Sequence, residues 1–410
     1  MTRKILFVVA LICCSGPLMA QILGFSLAAG KKRVQIPIEV YNNLVVVPVF
    51  LNGALPLKFV IDTGVRTAIL TQKSFTDILN LPYSRKYTIS GPGGVKLVDA
   101  YVTNNVSLEL PGVNGRGHAM LVLAEDYLEL RNYLGTDVHG ILGYELFSRF
   151  IVEINYDKKI MTLTLPERFK PKRKFQTIPI RIEDTKPYVT AQVVLNDQSQ
   201  LTAKLLVDSG ASHGLLLEPS SDARIVPPAN YVSSSIGRGL GGDIVGKVGR
   251  IQSLTLGTFK FQNIVARFPD PNSYFDSLKI GSTARNGAIG GEVLSRMTVI
   301  FNFPKEEMYI KRASEFRKAF HFNLSGLTVK AKGSALSTYE ITDVRRLSVA
   351  DRAGIQVGDI VMSINGIDVA NLSLAHINGF FNFKPGKLIR LEVDRGGTLH
   401  KMRFRLEDEI

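Results

Sequence analysis

Runs of apolar residues, many of them β-branched, alternate with polar and glycine-containing turn signals along most of this chain. Short apolar or alternating runs bounded by such signals are typical of β-strands, whereas a helix needs a longer stretch of 3.6-residue periodicity. Residues 71–81 could form a short helix within this pattern. The pattern therefore predicts a mainly β fold.

One block of this pattern occurs twice. In each copy an apolar strand leads through an asparagine-containing turn into a second apolar run, as expected for a hairpin. Each second run ends in an aspartate, a hydroxyl residue and a glycine, namely Asp62-Thr63-Gly64 and Asp208-Ser209-Gly210. The two aspartates are 146 positions apart, so the chain is expected to contain two similar lobes.

Two further motifs follow the aspartate in each copy. A glycine-rich segment comes first, and an apolar motif comes later, at Gly140–Gly143 in the first copy and Gly287–Gly290 in the second. The glycine-rich segments contain Gly91, Gly93 and Gly94, and Gly239, Gly241 and Gly242. Because all three motifs recur in the same order, the repeat is more specific than a single Asp-Ser/Thr-Gly tripeptide.

The doubled set of motifs resembles the aspartic proteases, and in particular their retropepsin-like branch. The resemblance covers residues 34–310 and implies a two-lobed acid-protease-like β fold. Its lobes are expected at 34–163 and 178–311, with a basic, proline-containing linker at 164–177. Ala211, which follows the second motif, fits the retropepsin pattern, whereas Val65 in the first copy departs from it.

The resemblance implies that Asp62 and Asp208 form a catalytic pair. Two adjacent carboxyl groups share one proton, so the ionised one can activate a water molecule while the protonated one polarises a peptide carbonyl. The glycine-rich tips would close over an extended peptide. The other motif residues would brace the pair or leave room for the substrate backbone, namely Thr63, Ser209, Gly64 and Gly210. The expected activity is that of an aspartic endopeptidase, which needs no metal or cofactor.

The composition changes after Arg312. Residues 353–361 and Ile364-Asn365-Gly366 resemble a PDZ domain of the type associated with bacterial proteases, and the match covers residues 322–408. The resemblance implies a peptide groove beside a helix at 374–381. A loop would hold the terminal carboxylate of the peptide through Gly326, Leu327, Thr328 and Val329. The domain would recruit or regulate substrate, or it would only pack against the lobes.

The first 20 residues have the pattern of a secretory signal peptide. Arg3 and Lys4 precede an apolar run, Ile5–Ile12, that is too short to span a bilayer. We therefore expect a secreted or cell-envelope protein, cleaved after Ala20. Cys13 and Cys14 both lie in this segment and leave lipid attachment to a membrane open as an alternative.

Charge and residue types narrow the remaining function classes. The formal net charge is +14, but no basic stripe interleaved with aromatic residues is present, which argues against nucleic-acid binding. The six histidines have no metal-ligand spacing, and no serine-nucleophile motif occurs. Polypeptides are the expected partners. The alternative from another class is a catalytically silent protein that holds peptides in the cleft and the PDZ groove.

Overall fold

The computed structural model describes residues 23–93, 97–271 and 284–410. The proposed signal peptide with Cys13 and Cys14, and Gly94 of the first glycine-rich segment, lie outside these ranges. Strands dominate the described residues, so the predicted mainly β fold class is confirmed. None of the helices in these ranges is long and apolar enough to cross a membrane.

The first lobe contains short helices between its strands. The helix expected at 71–81 is shorter in the structure and spans only Ser74–Ile78. In chain order the elements are β1 (Gly24–Leu27), β2 (Arg33–Pro37), β3 (Glu39–Tyr41), β4 (Leu44–Leu51), β5 (Leu55–Ile61), β6 (Ala68–Leu70), α1 (Ser74–Ile78), β7 (Tyr83–Ile89), β8 (Val98–Val106), β9 (Leu108–Glu109), β10 (Val113–Arg116), β11 (His118–Leu123), α2 (Leu130–Leu134), β12 (Gly140–Leu142), α3 (Tyr144–Phe147), β13 (Ile151–Asn155) and β14 (Ile160–Thr164).

The second lobe follows a segment with one 3₁₀ turn at Pro166–Arg168. Its elements are β15 (Gln176–Glu183), β16 (Lys186–Val194), β17 (Gln200–Val207), β18 (Leu215–Leu217), β19 (Tyr231–Gly239), β20 (Gly242–Leu256), β21 (Phe259–Pro269), β22 (Gly287–Ile289), α4 (Gly291–Leu294), β23 (Met297–Asn302) and β24 (Glu307–Arg312), with 3₁₀ turns at Pro219–Ser221 and Phe303–Lys305.

The two lobes share one strand order. In the first lobe, neighbouring strands follow the order β4-β5-β12-β6-β11-β8-β7, and in the second they follow β16-β17-β22-β18-β21-β20-β19. Every strand in this order of one lobe therefore has a counterpart in the other. The repeat seen in the sequence is a repeat of tertiary structure.

A sheet common to both lobes joins them. β13 of the first lobe pairs antiparallel with β23 of the second, with Val152 opposite Phe301 and Ile154 opposite Val299. β14 and β2 extend this sheet on one side, and β24 and β15 extend it on the other. In β2, Val34 and Ile36 alternate with exposed polar residues and point into the core, which is the pattern of a half-buried strand.

The C-terminal domain has a core of its own. Its elements are β25 (Leu327–Lys332), β26 (Thr338–Val344), α5 (Val349–Arg352), β27 (Ile360–Ile364), β28 (Ile367–Asp368), α6 (Leu374–Phe381), β29 (Leu388–Arg395) and β30 (Thr398–Arg405), with a 3₁₀ turn at Val369–Asn371. The sheet order β25-β26-β27-β29-β30 leaves β25 at one edge. α6 packs beside β25, as predicted for the helix of a peptide groove.

Aromatic packing supplements the hydrogen bonds between the lobes. Phe147 in α3 is fully buried, and its ring lies 5.2 Å from that of Phe303 and 5.4 Å from that of Phe301, both of the second lobe. The aromatic cluster therefore joins the hydrophobic cores of the two lobes into one. We expect loss of this cluster to destabilise both lobes.

Replacement of Phe147 by Ala should lower the free energy of unfolding by about 3–5 kcal/mol, because a large cavity would open between the lobes. Denaturant unfolding measures this change. Phe50→Ala is the matched control, because Phe50 is 44% exposed and its loss should cost less than about 1 kcal/mol. Equal effects of the two substitutions would contradict a shared core.

Candidate active site

Asp62 and Asp208 lie just after the central strands of their lobes. β5 pairs in parallel with β12, and β17 pairs in parallel with β22. The N–H of Asp62 donates to Leu142 O at 2.9 Å, and the N–H of Asp208 donates to Ile289 O at 2.8 Å. The apolar motif downstream of each aspartate therefore fixes the backbone at which the carboxyl group emerges.

Thr63 and Ser209 join the two half-sites through reciprocal hydrogen bonds. The N–H of Thr63 donates to Ser209 Oγ at 3.1 Å, and the N–H of Ser209 donates to Thr63 Oγ1 at 3.0 Å. Each hydroxyl also donates across the lobe boundary, Thr63 to Val207 O at 2.6 Å and Ser209 to Ile61 O at 2.9 Å. Both side chains are fully buried. The structure thus places them as braces between the lobes.

Gly64 and Gly210 supply backbone donors to the carboxyl groups. Gly64 N–H lies 2.6 Å from Asp62 Oδ1, and Gly210 N–H lies 3.0 Å from Asp208 Oδ1. A Cβ atom at position 210 would overlap the carboxyl group of Asp62. Glycine is therefore required there for the two half-sites to approach each other.

The two aspartates share a hydrogen bond between their carboxyl groups. Burial raises the pKa of Asp62 to about 8, and the negative charge of Asp208 contributes to this rise. Burial also raises the pKa of Asp208, but the positive charge of Arg285 opposes that effect. Near neutral pH the pair is therefore expected to hold one proton, with Asp62 as the donor to Asp208.

The positively charged residues near the aspartate pair lie outside the sequence motifs. Arg285 lies two residues before β22 and pairs with the buried Glu218 at 2.8 Å. The positive charge of Lys186, the first residue of β16, opposes the rise in the pKa of both aspartates. No local pattern marks either residue. Their role follows only from the tertiary structure.

His213 lies close to the second aspartate motif but has the wrong basicity for a general base near neutral pH. Burial, aided by Arg267 and Arg285, lowers its pKa to about 3. Within the described part of the chain, its buried Nε2 has no hydrogen-bond partner. In the same ranges, no group of three or more His, Cys, Asp or Glu side chains is arranged to hold a metal ion.

The two glycine-rich tips meet each other. The first tip follows β7 and the second connects β19 to β20, and Gly241 N–H donates to Pro92 O at 2.9 Å. A Cβ atom at Gly93 would overlap Gly242 O, and one at Gly239 would overlap Pro92 O. The glycines therefore allow direct contact between the two backbones. Gly91 faces Leu240 of the opposite tip.

Val65, which departs from the family pattern, has a packing role. Its side chain belongs to an apolar cluster of the first lobe that also receives Leu240 from the second tip. Its carbonyl accepts a hydrogen bond from Tyr144 N–H at 2.8 Å, as Ala211 O does from Gly291 N–H at 2.6 Å. The backbone arrangement is therefore the same in both lobes, although the side chains differ.

The loop predicted to bind a peptide carboxylate lies at the start of β25. Gly326 N–H donates to Asn323 Oδ1 at 2.9 Å, and Leu327 N–H donates to Ser325 Oγ at 3.1 Å. Leu327 and Val329 are buried, and Thr328 is half-buried. Two of the predicted donors are thus occupied by side chains of the same loop, and a carboxylate would have to replace those side chains.

Comparison with protein families agrees with this architecture. Residues 47–146 and 190–292 match the family model of the aspartyl proteases, and each segment contains one aspartate of the pair. Residues 340–395 match the model of a PDZ domain. No curated protein matches the chain. The chain therefore combines two lobes of the retropepsin-like aspartyl protease family with a C-terminal PDZ domain.

Proposed function

We propose that this protein is an aspartic endopeptidase that hydrolyses peptide bonds in its polypeptide substrates. The observation that carries the proposal is the hydrogen-bonded pair of Asp62 and Asp208 at the junction of the lobes. Paired carboxyl groups whose environments separate their pKa values are suited to combined acid and base catalysis.

In the proposed reaction, ionised Asp208 removes a proton from a water molecule as the water oxygen attacks the peptide carbonyl carbon. Protonated Asp62 donates its proton to the carbonyl oxygen, which gives a neutral tetrahedral diol. Asp208 then returns its proton to the amide nitrogen while ionised Asp62 removes a proton from one hydroxyl of the diol. The C–N bond breaks, an amine and a carboxylic acid are released, and the starting protonation of the pair is restored. The charge of Arg285 supports the assignment of Asp208 as the ionised partner.

The glycine-rich tips are proposed to cover an extended substrate and to exclude water from the reacting carbonyl. Their present contact through Gly241 and Pro92 means that they must separate before a peptide can reach the pair. The PDZ domain is proposed to recruit or regulate substrate. Residues 1–20 are proposed to direct export to the cell envelope or the medium.

Asp62→Asn and Asp208→Asn should each reduce peptide turnover by at least roughly 10²–10⁴-fold, because an amide can neither ionise nor share the proton. The measurement is cleavage of a mixed peptide library, followed by mass spectrometry. Circular dichroism should show that both variants fold, since the substitution is nearly isosteric. Turnover retained by a folded variant would mean that the pair is not the catalyst, whereas the absence of turnover in the folded wild-type protein would favour the peptide-holding function.

The peptidase activity should follow a bell-shaped pH profile. Below the pKa of Asp208 both carboxyl groups are protonated and no base is available, whereas above about pH 8 Asp62 loses its proton and no acid remains. A pH–rate profile of the wild-type protein tests this expectation. A rate that continues to rise well above pH 8 would contradict the assignment of Asp62 as the acid.

Stability provides an independent check of the same pKa. Because the pKa of Asp62 is raised from 3.8 to about 8 in the folded state, the stability that its protonation contributes is fully present below about pH 4 and is lost progressively as pH rises to about 8. Asp62→Asn lacks this titration. The melting temperature of the wild-type protein should therefore fall, relative to that of the variant, between pH 5 and pH 9.

Export should leave a mature protein that begins at Gln21. The positive residues Arg3 and Lys4 and the apolar run Ile5–Ile12 support removal of the first 20 residues. Intact-mass measurement of the protein from its native host tests this expectation. A retained Met1, or a lipid on Cys13 or Cys14, would contradict it.

A further inference from the structure

The groove of the PDZ domain faces the first lobe. Its two walls are the edge strand β25 and the start of α6, and the segment from Glu129 to Gly135, which contains α2, contacts both. Asn132 Nδ2 donates to Ala331 O of β25 at 2.6 Å. Gly135 lies against Leu374 of α6, so closely that a Cβ atom at position 135 would fall 2.5 Å from that of Leu374.

Charged groups strengthen this contact beside the groove. Lys330 of β25 pairs with Glu129 at 2.6 Å between Nζ and Oε2, and the Lys330 side chain is only 15% exposed. Arg131 donates to the backbone carbonyls of Gly333 and Ser334 after β25. The lobe thus occupies the edge of β25 through side-chain donors to backbone carbonyls and through an ion pair, rather than by adding a strand as a peptide ligand does.

Glu129 also contacts the tip of the second lobe. Its Oε1 accepts a hydrogen bond from Arg238 Nη2 at 3.2 Å, while its Oε2 binds Lys330. Burial raises the pKa of Glu129, but Lys330 and Arg238 outweigh that effect, and the pKa is lowered. The carboxylate is therefore ionised near neutral pH and can bind both cations.

Arg238 holds the second tip in its closed position. It lies at the end of β19, next to Gly239, and donates to Tyr127 O at 3.0 Å and to Asp243 at 2.8 Å. Leu240, two residues further, packs in the cluster that contains Tyr127, Leu128 and Leu130 of the first lobe. One short segment of the first lobe therefore contacts the PDZ groove on one side and the closed tip on the other.

The PDZ domain also lies close to the tip. Burial raises the pKa of Asp343 in β26, Arg345 opposes this effect, and the carboxylate of Asp243 in the tip adds to the rise. Asp243 is the residue that pairs with Arg238. The carboxylates of Asp343 and Asp243 therefore repel each other across the boundary between the PDZ domain and the tip.

We propose that the segment 129–135 is an internal ligand of the PDZ groove, and that Glu129 couples occupation of the groove to closure of the tips over Asp62 and Asp208. A partner peptide that binds between β25 and α6 must displace this segment. To replace Glu129 it should carry an acidic group opposite Lys330. Its binding would weaken the Glu129–Arg238 contact and allow the tips to open. The regulatory meaning of this coupling rests on the proposed peptidase function, but the coupling itself does not.

Lys330→Glu tests the coupling, because it places two carboxylates against each other at the groove. Lys401→Glu is a control for the same charge reversal at a strand residue of the same domain, although the Lys401 side chain is 74% exposed. Both lysines are strand residues of the PDZ domain with a glutamate as cross-strand neighbour, but Lys401 pairs with Glu392 of its own domain. Hydrogen exchange, measured by mass spectrometry, reports opening of the tip at residues 236–243. Exchange at residues 297–302 of β23 reports the stability of the core shared by the lobes.

We expect Lys330→Glu to accelerate exchange at the tip by about five-fold or more, the lower end of typical couplings between sites. Lys401→Glu should leave it unchanged, and neither variant should change exchange in β23. Asn132→Ala, which removes one contact with β25, should act in the same direction as Lys330→Glu. Unchanged tip exchange in both Lys330→Glu and Asn132→Ala would overturn the proposal.

Turnover of a short peptide separates the coupling from the proposed function. If the protein is a peptidase limited by tip opening, kcat/KM should rise in Lys330→Glu with the exchange rate. If no variant cleaves any peptide but tip exchange still accelerates, the peptidase function fails and the coupling stands.

A peptide supplied in trans tests displacement directly. The probe is a synthetic peptide with the sequence of residues 126–136, used at millimolar concentration because it competes with a tethered segment. It should accelerate tip exchange in the wild-type protein, whereas a scrambled peptide of the same composition should not. Equal effects of the two peptides, or no effect of either, would overturn the internal-ligand assignment.

Discussion

The hydrogen bonds between Thr63 and Ser209 are the constraint on which the rest of the site depends. Each hydroxyl accepts from the backbone of the opposite lobe and donates to it, so both buried groups are satisfied only while the lobes are together. An unsatisfied buried hydroxyl costs about 1–3 kcal/mol. The network therefore opposes separation of the lobes, although the carboxyl groups that it holds together would repel each other if both were ionised.

Fixed proximity determines the protonation of the aspartates. Neither carboxyl group can move away from the other, because Gly64 and Gly210 hold them through backbone N–H groups and each strand end is bonded to the motif behind it. The repulsion is relieved by a shared proton. The lobes are alike in backbone but unlike in charge, since Arg285 acts on Asp208. That difference separates an acid from a base in a nearly symmetric pair.

Local patterns in the sequence predicted the strands and the residues at their ends. Phe59–Ile61 and Leu205–Val207 are continuous apolar runs because both faces of these central strands are buried. The glycines of the tips were also visible, but the contacts that require Gly93 and Gly239 were not. Arg238 and Glu129 could not be predicted as partners, because a single arginine or glutamate has no distinctive sequence pattern until the fold brings it next to the groups that it contacts. Helices of four or five residues, such as α2, are too short to show a periodicity.

The division between rigid and movable parts follows from the same contacts. The aspartates lie just after central strands covered on both faces, whereas the described residues of the tips meet through the Gly241–Pro92 backbone hydrogen bond, glycine contacts and Leu240. Opening of the tips would therefore leave the Thr63–Ser209 network intact. In the proposed reaction, a substrate could be admitted without disturbing the geometry of the aspartate pair. The ion pairs of Glu129 and Arg238 add to these contacts, so in the proposed coupling the displacement of Glu129 from the PDZ groove would shift the balance towards open tips.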